Sequence, residues 1–129
     1  MSLNDSKVAA TIAVSDLDRA KEFYGGKLGL SAVGGMEDAN VVVYQCGDGS
    51  ELVVYQSEHA GKATATVATY DVSDVEATVD ELTSNGVVFE QYDEPMQTDA
   101  KGIFTSEEGG VAWFKDPDGN TIAVGQFGS

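Results

Sequence analysis

Ile12-Ala13-Val14-Ser15-Asp16-Leu17-Asp18-Arg19-Ala20-Lys21-Glu22-Phe23-Tyr24 is the stretch on which the fold turns, because its centre occurs twice. Val14-Ser15-Asp16-Leu17-Asp18 returns as Val72-Ser73-Asp74-Val75-Glu76, a shift of 58 positions in a chain of 129. Each copy follows an alternating, β-branched run, Val8 to Val14 and Thr64 to Val72, which has the period of a half-buried strand. Each carries a Ser-x-x-acid capping signal, in which the serine can take an orphan amide and the acid can reach back, and Asp16 itself caps or enters the helix in the same reading. The amphipathic runs that follow align Leu17, Ala20, Phe23 and Tyr24 on one helical face, and Val75, Val79 and Leu82 on the other helix's face. Each helix then runs into a glycine suited to ending it, Gly29 and Gly86.

Short strand-like runs come after each helix. In the first half they are Leu30–Val33, Val41–Cys46 and Leu52–Gln56, separated by Gly34-Gly35 and Gly47-Asp48-Gly49. In the second they are Val87–Glu90, Gly102–Ser106, Val111–Lys115 and Thr121–Gln126, with turns at Gly109-Gly110 and Asp116-Pro117-Asp118-Gly119-Asn120. Gln91–Lys101 has no periodicity and several acids, so it reads as an exposed loop, and His59–Lys62 as the linker between halves. The pattern is α+β: two tandem βαβββ modules, about 7–57 and 63–127, in one domain spanning 1–129.

Charge narrows the function. Twenty-two acids face seven bases, for a formal charge of −15. Phosphates would be repelled by such a chain, which argues against nucleic acid and against anionic membrane surfaces as partners. The same charge keeps the protein soluble, suits a salty cytoplasm and favours cationic ligands. No apolar run approaches the length of a membrane span, and no signal-peptide pattern directs the chain out of the cytoplasm. Cys46, the single cysteine, forms no disulfide within the chain and reads as a small buried strand residue. The only histidine, His59, falls in the linker, so a Cys–His nucleophile is not expected.

Two segments together resemble the vicinal-oxygen-chelate superfamily of glyoxalases, extradiol dioxygenases and bleomycin- and fosfomycin-resistance proteins. One is Ile12–Tyr24 followed by Leu28-Gly29-Leu30; the other is Trp113-Phe114-Lys115-Asp116-Pro117-Asp118-Gly119-Asn120-Thr121-Ile122. The resemblance covers Lys7 to Phe127 and implies a curled mixed sheet around a cleft, the glyoxalase/bleomycin resistance/dioxygenase fold. It also implies a homodimer, because a second copy often completes such clefts. Both segments have turn or packing reasons to be what they are, so they identify architecture and leave the chemistry open.

The superfamily's divalent metal is usually held by His, Gln or Glu on strands facing the cleft. The resemblance carries those ligand positions to Ala9, Val53, Val67 and Ala123, all aliphatic. Divalent ions need oxygen, imidazole or thiolate donors, so no metal and no other cofactor is expected. What remains is a cleft lined by Thr11, Val53, Tyr55, Val67, Thr69, Trp113 and Ala123, mostly apolar with a few hydroxyls, as in a small-molecule pocket. The expectation is a metal-free, bleomycin-resistance-like protein that binds a small cationic or aromatic molecule. The alternative is an enzyme of the superfamily, a lyase or isomerase, with Glu51, Tyr55, Tyr92 or Asp93 as acid–base candidates, or metal-dependent if the ligand register lies elsewhere. A third is a domain that mainly pairs with another protein.

Overall fold

The computed structural model describes residues 3–5, 8–36, 40–93, 97–106 and 109–126. Its contacts divide the chain into two units between Lys62 and Ala63. The first contains β1 (Ala10–Val14), α1 (Leu17–Lys21), β2 (Ser31–Met36), β3 (Val41–Gln45) and β4 (Glu51–Gln56). The second contains β5 (Thr66–Asp71), α2 (Val75–Ser84), β6 (Ile103–Ser106), β7 (Gly109–Lys115) and β8 (Thr121–Gly125). Each unit is a four-stranded mixed sheet with one helix, and the strand orders are β1-β4-β3-β2 and β5-β8-β7-β6. In both, the first strand runs parallel to the last, and the remaining pairs are antiparallel.

Strand alternation sorts the side chains onto two faces of each sheet. In the first unit Ile12, Val14, Val42, Tyr44, Leu52 and Val54 are buried on the helix side, against the predicted face of Leu17, Ala20, Phe23 and Tyr24. Beyond α1 the chain continues as a π-helical turn, Glu22–Lys27, whose wider winding keeps the adjacent Phe23 and Tyr24 both in the core. Their rings meet edge to face at 5.2 Å. In the second unit Ala112, Phe114, Ile122 and Val124 are buried on the side of Val75 and Val79, while Leu82 is only half-buried. Burying each of the larger aliphatic side chains contributes about 1.5–3 kcal/mol.

The helix ends follow the repeat, with one correction. The caps are Asp16 and Asp74, not the serines before them: Asp16 Oδ1 accepts from Arg19 N and Asp74 Oδ1 from Ala77 N, both at 3.1 Å. Ser15 instead accepts from the Arg19 guanidinium at 3.1 Å. A second acceptor comes from far along the chain. Gln56 Oε1 takes the Leu17 amide at 3.2 Å, and Gln126 Oε1 takes the Val75 amide at 2.9 Å. Gly29 and Gly86 end the helical segments at φ 75° and 100°, as glycine readily does.

Three strand boundaries also differ from the sequence reading. Val87–Glu90 is not a full strand but a single bridge, Phe89 to Phe114, with Glu90 N donating to Trp113 O at 2.8 Å. Gly109 and Gly110 lie within β7 rather than in a turn, because side chains there would collide: a Cβ on Gly109 would meet Gln126 O, and one on Gly110 would meet Val75 and Ile103. Gly34 and Gly35 belong to β2, whose pairing with β3 slips between Ala32 and Gly34. The Asp116–Asn120 turn is as expected. The buried Asp116 carboxylate accepts from the amides of Asp118 and Asn120 and from the Asn120 side chain, at 2.9–3.0 Å.

Replacing Asp74 with Ala should cost about 0.5–2 kcal/mol, and replacing Gln126 with Ala about 0.5–1.5 kcal/mol. Urea unfolding of each variant measures this, and Ser73→Ala should be close to neutral beside them.

Candidate functional site

The face of each sheet turned away from its helix carries the residues singled out above. Strand register sets them in rows. In the first sheet Thr11 pairs with Val53, and Val53 with Val43. In the second, Thr69 pairs with Ala123, and Ala123 with Trp113. The two rows are equivalents in the duplication, since Thr11 and Thr69 stand five residues before the capping aspartates. Val53 and Ala123 stand three residues before the clamping glutamines. One row further, Tyr55 pairs with Ala13 and Val41, at the place where the second sheet has Gly125 beside Asp71 and Val111.

The equivalents differ most in size. Trp113 stands where the first module has Val43, and Tyr55 stands where the second has Gly125. Trp113 is half-buried and Tyr55 is 37% exposed. Tyr92, from the segment after the Phe89 bridge, lays its ring edge to face against Trp113 at 5.6 Å. Burial, and then the charge of Glu90, pushes the Tyr92 phenol above the usual tyrosine range. Glu90 also meets Lys115 at 3.7 Å. Asp71, Glu90 and Lys115 were not among the residues expected at the site. The partner of the repeat, Ala13 for Asp71, would have pointed to the first of them.

The remaining expectations fall as follows. Glu51 is exposed at the start of β4, two residues from Val53 and on the same face. Asp93 is exposed in the loop. Val67 is the extra residue of a bulge, because Thr66 pairs with Thr121 but Ala68 with Ile122. Cys46 is not a buried strand residue. It lies just past β3, half-buried, with its amide donating to Ser50 O at 2.8 Å. His59 is exposed in the linker, 3.3 Å from Lys62 Nζ.

The loop that presents Tyr92 is held by its own side chains. Tyr92 N donates to Thr98 Oγ1 at 2.8 Å, and Asp99 Oδ1 takes the amides of Lys101 and Ile103 at 2.9 and 3.0 Å. Lys101 reaches Asp80 at 3.2 Å and Glu76 at 3.5 Å, tying the loop to α2. The Asp80 hydrogen bond and charge, with Glu76 behind them, hold the Lys101 ammonium above the usual lysine range.

A divalent metal of the kind the resemblance implies does not fit these residues. Ala9 precedes β1, and Val53, Val67 and Ala123 offer only hydrocarbon. Among the described residues no three His, Cys, Asp or Glu side chains group as a metal site would require. Among them, too, no helix is long and apolar enough to cross a membrane.

The sequence matches a family model described as the Glyoxalase/Bleomycin resistance protein/Dioxygenase superfamily, over residues 8–124. No curated protein matches it. Solved structures with the same fold include TnmS3, an antibiotic binding protein from Streptomyces sp. CB03234. It is 21% identical with a TM-score of 0.68, over 95% of this chain and 98% of that one. The bleomycin resistance determinant encoded on transposon Tn5 is also 21% identical, with a TM-score of 0.70 over the same shares. A glyoxalase/bleomycin resistance protein/dioxygenase from Alicyclobacillus acidocaldarius is 16% identical, with a TM-score of 0.73 over 100% of this chain and 96% of that one.

Calorimetric titration of metal-stripped protein with Zn²⁺, Ni²⁺, Mn²⁺ and Fe²⁺ should give no stoichiometric heat; a sub-micromolar site would place donors where the register has none. Because the folded-state pKa of Lys101 is raised, its contribution is complete below the ordinary lysine value and fades as pH rises through the raised one. The stability difference between the protein and Lys101→Met should therefore close at high alkaline pH, as read by urea midpoints.

Proposed function

The chain belongs to the Glyoxalase/Bleomycin resistance protein/Dioxygenase superfamily, and on that premise we propose that it is a metal-free protein that binds a small aromatic or cationic molecule. The observation that carries this reading is the broken symmetry of the open sheet faces. Where two copies of a module serve only architecture, equivalent positions can stay alike. Trp113 against Val43 and Tyr55 against Gly125 depart from that, and both departures put an aromatic ring on a face away from the helical core. Thr11 and Thr69 keep a hydroxyl in each matched row; half-buried Val53 stands beside Thr11, and buried Ala123 stands between Thr69 and Trp113.

The row of the second sheet suits a flat ligand: a ring stacks on Trp113, the Thr69 hydroxyl fixes its orientation, and a positive charge gains from the ring's negative face. In this reading Tyr92 packs beside Trp113 as one edge of the site. The protein works as a binder in the cytoplasm, and a second copy of the chain is its natural partner. TnmS3, an antibiotic binding protein, gives that role a precedent on the same fold.

Trp113 is the only tryptophan, so its emission reports directly on this surface. A planar aromatic cation such as proflavine should quench it saturably and raise the melting temperature. Trp113→Leu should abolish the thermal effect, and Thr69→Val should weaken binding by about 0.5–1.5 kcal/mol. Melting curves of Trp113→Leu that still respond fully to the ligand would remove the site from this face.

A further inference from the structure

The charge of −15 is unevenly opposed, and we propose that the folded state of this chain depends on concentrated salt, with cations screening a surface that repels itself. Glu76, Asp80 and Glu81 crowd the exposed side of α2, whereas on the first helical segment Asp16, Asp18 and Glu22 stand among Arg19, Lys21 and Lys27. The last turn of α2 holds no basic residue, although a helix C-terminus favours cations. Among the described residues Lys101 bridges Glu76 and Asp80 from outside the helix.

Like charges at this density destabilise a compact chain, and the range of the repulsion depends on the medium. At about 0.01 M salt the screening length is about 30 Å, so each carboxylate feels the others across its whole module. At about 1 M it falls to about 3 Å, and only touching groups interact. Burial of Tyr24, Tyr44, Phe114, Leu52 and Ile122 opposes that repulsion, but the net stability of a small domain is a small difference between large terms, so unscreened charge is enough to tip it. Concentrated salt therefore acts as a requirement of the fold.

The test is a series of thermal melts of the intact protein in KCl from about 0.01 M to about 1 M. A triple variant, Asp18→Asn, Glu22→Gln and Glu81→Gln, is melted beside it. The expected result is a melting temperature that climbs with KCl, and a variant that is more stable than the parent at low salt but converges with it at high salt. A melting temperature that is flat or falls with KCl overturns the proposal. So does an equal rise in parent and variant, since that is the response of apolar burial to salt rather than of screened charge.

Discussion

A glutamine at the end of each closing strand holds the first amide of the helix that opened its module. Gln56 reaches Leu17, and Gln126 reaches Val75. The first four amides of a helix have no partner within it, and a helix as short as α1 has few bonds of its own to spare. The capping aspartate satisfies the third amide and the glutamine the first. The bond also fixes where the last strand ends against the first, since Gln56 pairs with Val14 in the parallel ladder. The clamp thus ties the helix to the end of the last strand, which the parallel ladder holds against the first. Thr69, Ala123 and Trp113 sit side by side through the β5–β8 and β7–β8 ladders, at whose end the clamp lies.

Most of the scaffold was legible because it obeys local rules. Phe23 and Tyr24 lie on the buried face that helical periodicity assigns them, and Asp116 nucleates the turn that Pro117 and Gly119 announce. The misses are of two kinds. Some are overlaps of local signals: Ser-x-x-acid and an aspartate cap describe the same five residues one position apart, and geometry chose Asp16 and Asp74. Others are contacts between distant residues. Neither clamp can be seen within a window of sequence, nor can the approach of Gln126 to Gly109 that turns a supposed loop into strand.

The candidate rows came from the register that the resemblance implies, and their equivalence from the repeat. The helices are offset by 58 positions but the closing strands by 70, the difference being absorbed in the longer segment between Phe89 and β6. Only after that correction do Trp113 and Val43 become equivalents, and Tyr55 and Gly125 likewise. Val67 falls on a bulge, which disturbs any count along β5. If the surface charge is screened in the medium where this protein acts, long-range attraction toward cations is screened with it. Selection then rests on contact, on what Trp113 and the threonines touch, more than on steering from a distance.

The parallel pairing at the edge of each sheet has a kinetic consequence. β3 and β4, like β7 and β8, are neighbours in sequence and meet after closing a short loop. Ala10 must find Leu52, and Thr66 must find Thr121, across nearly the whole of their modules. The entropy of closing such long loops comes due before the contacts repay it, which makes these pairings the slow step of assembly. The central hairpins therefore form early and the first strand docks last. A nascent module exposes one unpaired edge of β4 or β8 until its own first strand arrives, and that interval is when it is most open to pairing with a stranger.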